Sequence, residues 1–418
     1  MEPLDKITLS ACSLVSRNWV YTARVHLFKS ITYHVEAEIH CGVHQTPPPL
    51  HDLLDFLVAT PSVCLHIREL YLAMNIPEDI LLQLLSLRVA SALRGGELSV
   101  LYAILQHTPG LRSLTVHDFR FADPGTTLTL PPIPDGPALQ HLESLCIRQY
   151  KLFPEIGRKE HTSQLFYMLG SIGRLSFTSR FVRNKRFVDA VPSWPPGALK
   201  HVRELSTKHV RDLRHLRMVD CARLEACHLW YADAPADVAW LANWLRTAGK
   251  GLRALGISVR VHQRMLSAEP DRDVLDLSVL SRLEALSLVL TLFVDVAQGI
   301  FGFVRPVYAF LCRALSETAD SLRIVTFRLE VRDILNRPTM EDNDTAFDIR
   351  QALVTDWQEL DGTFIMRATT AQLRAVRFVE EMVEEWAAVR RAITSALPRA
   401  CARGLVQWAE PCEAHGTF

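Results

Sequence analysis

The sequence has no paired-cysteine motif. Nine cysteines run from Cys12 to Cys412, and none form a C-x-x-C pair. An odd, scattered set excludes a disulfide framework. With no signal-peptide apolar run after Met1, it predicts a reducing compartment, cytoplasmic and/or nuclear. Charge of one sign is also missing: 46 basic and 46 acidic residues cancel. That removes the global electrostatic footprint expected of a nucleic-acid or anionic-membrane binder. Phosphate loops are absent, because "RGGEL" and "LGSIG" lack the Lys-Ser/Thr or G-x-G-x-x-G context. Neither a G-x-S-x-G elbow nor an H-E-x-x-H helix occurs. No catalytic residues and no cofactor are therefore expected. The one long apolar run, residues 285 to 304, carries Asp295 and Gln298. An acidic group at that depth is expensive in a bilayer, so no membrane partner is expected. His34, His40, Cys41 and His44 lie close together but match no established zinc spacing, and no second ligand pair follows. The expectation is a polar linker without metal, with an enzyme or metalloprotein built around it as the alternative from another class.

What the sequence does have is a repeat. The chain is 418 residues, 49% hydrophobic and 22% charged, a folding composition sized for two or three domains or one elongated array. An apolar signature φ-x-x-φ-x-φ starts at Ile67, Leu111, Leu142, Ile172, Val202, Leu224, Leu252, Leu283, Leu322 and Leu373. From Leu111 to Val202 the starts are 31, 30 and 30 residues apart; the last gaps lengthen to 39 and 51. The φ-x-φ part alternates like a strand with one buried face. "VLYAILQHT", "DVAWLANWLRTAG" and "VRPVYAFLCRALSE", each preceding a copy, read as helices. A lone strand and helix cannot bury their apolar faces, so the units must stack. The pattern resembles the leucine-rich repeat, and "IRELYLAMN" fits it most fully, with Asn75 at the family's turn position. The resemblance implies an irregular α/β solenoid, with short parallel strands inside and helices outside.

The expected organisation is a partial helical segment at 1–32, a His/Pro-rich linker at 33–59, the solenoid at 60–397 and a tail at 398–418. Within the solenoid, residues 333–362 carry Glu341, Asp342, Asp344, Asp348, Asp356, Glu359 and Asp361 and read as a solvated excursion. Met382, Val383, Trp386, Val389, Ile393 and Leu397 fall at helical spacing and predict a helix capping the open end.

In "LSACSLVSRNWVYTARVHLF", apolar groups at Leu9, Cys12, Val15, Trp19, Ala23 and Leu27 mark an amphipathic helical segment. Together with Leu14, Ser16, Arg17, Arg24 and Phe28, these residues are similar to the C-terminal half of an F-box of the large fungal type. The resemblance implies a substrate-selecting adaptor of a Skp–cullin–F-box ubiquitin ligase. Leu9, Leu14, Val15 and Trp19 would form the F-box core or its Skp-facing surface. The family's first helix, opening Leu-Pro-x-Glu, has no counterpart before this stretch; the expectation is that Met1 is internal to a longer gene product, with a degenerate F-box as the alternative, and that the chain as given binds the adaptor weakly. The alternative is a repeat scaffold with a degenerate F-box and no ligase role.

Positions between and beside the strand's φ residues point away from the core, onto the concave face. Arg148, Arg174, Lys208, His228 and Trp230 stand at such positions on successive copies. Guanidinium and ammonium groups beside an aromatic suit an acidic or phosphorylated protein segment.

Overall fold

Every copy of the signature forms a parallel strand. The computed structural model describes residues 17–36, 50–75, 96–117, 121–122, 140–149, 169–179, 201–209, 223–231, 235–259, 276–295, 300–333, 353–380 and 386–409. They belong to two units, Met1–Arg203 with His215–Asp220, and Glu204–Arg214 with Cys221–Phe418. The division falls inside the stretch 60–397 read from the sequence as one array.

The first unit contains α1 (Arg17–Leu27), β1 (Ser30–Glu36), α2 (Leu50–Ala59), α3 (Pro61–Cys64), β2 (Glu69–Asn75), β3 (Gly96–Glu97), α4 (Leu98–His107), β4 (Ser113–His117), β5 (Phe121–Ala122), β6 (Gln140–Gln149) and β7 (Leu169–Ser179). Its sheet runs β1-β2-β4-β6-β7, all parallel, and β3 pairs with β5 separately. The second unit contains β8 (Glu204–His209), β9 (Ala226–Tyr231), α5 (Pro235–Ala248), β10 (Ala254–Val259), β11 (Ala285–Asp295), β12 (Ile300–Val304), α6 (Arg305–Glu317), β13 (Ile324–Asp333), β14 (Leu353–Val354), α7 (Gln358–Thr370), β15 (Ala375–Glu380), α8 (Trp386–Ala396), α9 (Pro398–Ala402) and β16 (Val406–Ala409). Its parallel order is β8-β9-β10-β11-β13-β15-β16, with β12 antiparallel to β11 and to β14. The fold is mixed α/β, its sheet mostly parallel and not closed into a barrel.

The signature has a local cause. The backbone N–H of the first φ closes a tight turn onto the carbonyl three residues earlier, as in Leu111 to Thr108 (3.0 Å), Leu252 to Gly249 (3.0 Å), Leu283 to Leu280 (3.1 Å) and Leu322 to Ala319 (3.1 Å). The next N–H reaches the preceding strand, as in Arg253 to Glu225 O (2.8 Å) and Arg323 to Glu284 O (2.8 Å). The second and third φ positions then align across strands. Leu70, Leu114, Leu145 and Leu175 share one row; Leu205, Cys227, Leu255, Leu286, Val325 and Val376 share another, all buried. Helices pack on this face. Phe364 of α7 lies 6.1 Å from Phe327, which stacks on Phe378 (5.3 Å), which meets Trp408 (5.3 Å); Trp386 of α8 closes edge-on at 5.8 Å.

Several expectations are corrected. The 33–59 stretch is not only linker: it holds most of β1, and α2 buries Leu50, Leu53 and Leu57. Phe28, Ile31 and Tyr33 repeat the signature spacing, so β1 is a further strand of the array, with Ile31 opposite Leu70. The acidic stretch 333–362 is not wholly a solvated excursion. Leu353, Trp357 and Leu360 are buried, and the buried Asp361 carboxylate accepts the Arg399 (3.1 Å) and Ala400 (2.8 Å) N–H groups at the start of α9. A carboxylate at that point satisfies orphan helix donors, which is why an acid is found inside. The helix around residue 389 does not end the array: α8 and α9 cross over to β16, inside the expected 398–418 tail, and β16 pairs parallel with β15. The apolar run 285–304 is β11 and β12, and among the described residues no helix is long and apolar enough to cross a membrane.

Candidate binding surface

The sheet face opposite the helices carries the residues between the φ positions, and register sorts them into rows. In the first unit one row is Tyr71, Thr115, Cys146 and Ser176; the next joins His34, Ala73, His117, Arg148 and Thr178. Tyr71 Oη and His117 Nδ1 share a 2.6 Å hydrogen bond, with their rings edge-on at 6.0 Å; the His34 ring lies 6.3 Å from Tyr71. His141 Nδ1 and Ser171 Oγ share another bond at 2.5 Å. Arg148 and Arg174 are exposed on this face. They are not side by side: Arg148 stands opposite Thr178 and Arg174 opposite Ser144. Four residues of strand separate those levels, roughly 13 Å. The face is open, rich in hydrogen-bonding groups, and basic at two separated points.

The corresponding rows of the second unit are closed along their middle strands, while Ser206, His228 and Arg377 are half-buried and Gln407 is exposed. Ser258, Ser287, Val289, Thr326, Arg328 and Val379 are all buried, which corrects the expectation that these positions form an exposed concave surface. Burial there depends on what lies across the face, and a strand's own alternation does not encode that. His228 lies across Gly256 of the neighbouring strand: a methyl group at residue 256 would overlap the imidazole. Burial pushes the His228 pKa down to about 4, helped by the Arg328 charge and opposed by Glu204. The ring is therefore neutral at physiological pH. A neutral, half-buried imidazole is a weak candidate for gripping an acidic segment.

Of the sequence-predicted partner residues, Arg148 and Arg174 fall in the first unit, and Lys208, His228 and Trp230 in the second. Lys208 and Trp230 sit on β8 and β9, but their side chains lie outside the described residues. Leu9, Leu14 and Val15 also lie outside them, as does the side chain of Trp19, which stands in α1. His34 is on β1, while His40, Cys41 and His44 are outside the described residues. Among the described residues no group of His, Cys, Asp or Glu is arranged to hold a metal ion.

A second row escaped the sequence reading. The residue after the first φ of each copy stands where the strand begins: Lys29, Arg68, Arg112, Glu143, Gly173 and Arg203 in the first unit, and Glu225, Arg253, Glu284, Arg323 and Arg374 in the second. Opposite charges on adjacent strands pair along it, Arg112 with Glu143 at 3.3 Å and Arg253 with Glu284 at 2.7 Å. The alternation of sign is present in the sequence, but reading it required the register. No protein-family model matches the chain, and no curated protein matches it.

Proposed function

We propose that this protein is a non-catalytic binding module, a leucine-rich-repeat-like solenoid that serves as the substrate-recognition adaptor of a Skp–cullin–F-box ubiquitin ligase and holds its target on the open face of the repeats. The observation carrying the reading is that every φ-x-x-φ-x-φ copy forms a strand paired in parallel register, repeating one set of side-chain positions from strand to strand. A repeated, pre-formed row of polar positions suits a long protein segment better than a small substrate. The F-box resemblance at Leu9, Leu14, Val15 and Trp19, with α1 helical over its second half, supports the ligase role. The test is co-purification with a Skp-type adaptor, using the chain as given and the chain extended upstream by an F-box first helix. The extended chain should bind more strongly, and Trp19→Ala should weaken it, since buried aromatics anchor helical interfaces. Failure of both forms to bind would leave a repeat scaffold without a ligase role.

A further inference from the structure

The charge row at the strand starts holds like-charged neighbours at two places: Lys29, Arg68 and Arg112 in the first unit, and Arg323 and Arg374 in the second. In the first run Arg68 Nη1 donates to Gly110 O (2.8 Å) and Arg112 pairs with Glu143. Arg253 donates from Nε (2.9 Å) and Nη2 (2.7 Å) to the same Glu284 oxygen. At β13 and β15 the next two members are both arginines. Ile324 is paired with Ala375, and the Arg374 N–H donates to Arg323 O at 2.8 Å, so Arg323 and Arg374 start adjacent strands. Strand spacing holds their backbones about 5 Å apart.

The neighbouring carboxylates bond other cations, Glu284 through Oε1 alone. Glu284 faces Arg253, and Asp320 faces Arg367 at 3.3 Å. Among the described residues neither Arg323 nor Arg374 has a side-chain hydrogen-bond or ion-pair partner. Arg323 Nε is moreover fully buried without an acceptor, while Arg374 is exposed. A buried guanidinium donor left without an acceptor is costly, and a like charge on the next strand adds to the cost. One oxyanion held between the two guanidinium groups would relieve both. A carboxylate has two oxygens and a single charge, and fills one guanidinium fork. A phosphoryl group has three terminal oxygens and close to two charges, and satisfies two forks.

We propose that Arg323 and Arg374 form a phosphoryl-binding site, open to solvent on the Arg374 side. It stands on the second unit's own strands and does not depend on the ligase reading. Its ligand is free phosphate or a phosphorylated side chain of a bound protein; the two share the chemistry.

The experiment titrates the full chain with inorganic phosphate by calorimetry and thermal melting, against chloride at matched ionic strength. Phosphate should bind saturably and raise the melting temperature. Arg374→Ala should weaken binding by about tenfold or more, since it removes a charge-assisted fork. Arg323→Lys, which keeps the charge but loses Nε, should weaken it several-fold. The exposed Arg282→Ala should bind as the wild type does. A blocked phosphoserine amide separates the sources: tighter binding than phosphate marks a phosphorylated protein, and weaker binding marks free phosphate. Loss of both ligands in Arg374→Ala is required in either case. The proposal fails if the wild type shows no saturable phosphate response, if chloride acts equally, or if Arg374→Ala and Arg282→Ala bind alike.

Discussion

Replacing Arg367 by methionine tests what joins the later repeats. Arg367 lies on α7 and is only 5% exposed. Its guanidinium donates from Nε to Leu315 O (2.8 Å) and from Nη2 to Ser316 O (2.6 Å) and Thr318 O, all at the C-terminal end of α6; Nη1 meets Asp320 at 3.3 Å. Those carbonyls are orphan acceptors of the last helical turn, so one side chain caps a neighbouring helix at its negative end. Methionine keeps much of the stem's volume and removes every donor. Leu315 O keeps the Thr318 hydroxyl (3.1 Å), so the Ser316 and Thr318 carbonyls are the stranded ones, at about 1–3 kcal/mol each; releasing a desolvated charge returns part of that, and the net loss should be about 3 kcal/mol. For a unit of this size, that corresponds to a fall of about 6–12 °C in melting temperature. Asp320 is 91% exposed on its side chain, and an exposed pair contributes little, so Asp320→Asn should cost less than about 1 kcal/mol. The double mutant separates the two accounts. If capping is the cause, Arg367→Met with Asp320→Asn should melt almost as Arg367→Met alone. A loss from Asp320→Asn as large as that from Arg367→Met would refute the capping account, as would wild-type melting of Arg367→Met.

Gly256→Ala should destabilise the second unit by about 1–3 kcal/mol because the new methyl meets the His228 ring. Adding His228→Ser should restore most of the loss, and urea unfolding of the two variants checks it. His228 also sets a pH dependence. Its folded pKa is lowered to about 4 from 6.5, so the unfolded chain binds the proton first. The stabilisation is full above pH 6.5 and lost as pH falls toward 4, by at most about 3 kcal/mol; in His228→Asn that part of the acid sensitivity should vanish from the melting curve. A charged replacement at Leu286, which is fully buried, should cost several kcal/mol by burying an unpaired charge. Wild-type-like melting of Leu286→Asp would show that its row does not face the helices.

The strands were legible because the signature has a geometric cause: a tucked first φ, then two φ positions on the helix side. The cause also explains the misses. β1 escaped because Tyr33 fills the third φ position inside a His-rich stretch. β16 escaped because Arg403 stands where its first φ would be, leaving only Val406 and Trp408 facing the helix side. Asp361 looked like a solvated acid because composition cannot tell a surface carboxylate from one that receives two backbone N–H groups. The helix at Trp386 looked terminal because a crossover helix and a capping helix bury the same stripe; only the chain beyond them differs.

The binding face was half legible for a related reason. Strand alternation assigns a side chain to a face, and it placed Arg148, Arg174 and His228 on the side away from the helices. It says nothing about which levels along neighbouring strands coincide, or whether anything lies across the face. Register answers the first question and separates Arg148 from Arg174; tertiary burial answers the second and encloses Arg328 with Ser258. Once register is known, the charges that meet at the strand starts can be read, like signs at Lys29, Arg68 and Arg112 as well as opposite ones. Arg253 has its glutamate, and Arg374 offers Arg323 another cation. In a stacked array a mismatch of this kind cannot be relieved by sliding one strand, because a shift would also move its whole φ row off the core. In the first unit Arg68 finds its acceptor in Gly110 O, whereas Arg323 Nε has none, and that is why the Arg323–Arg374 pair is the place to look for a ligand.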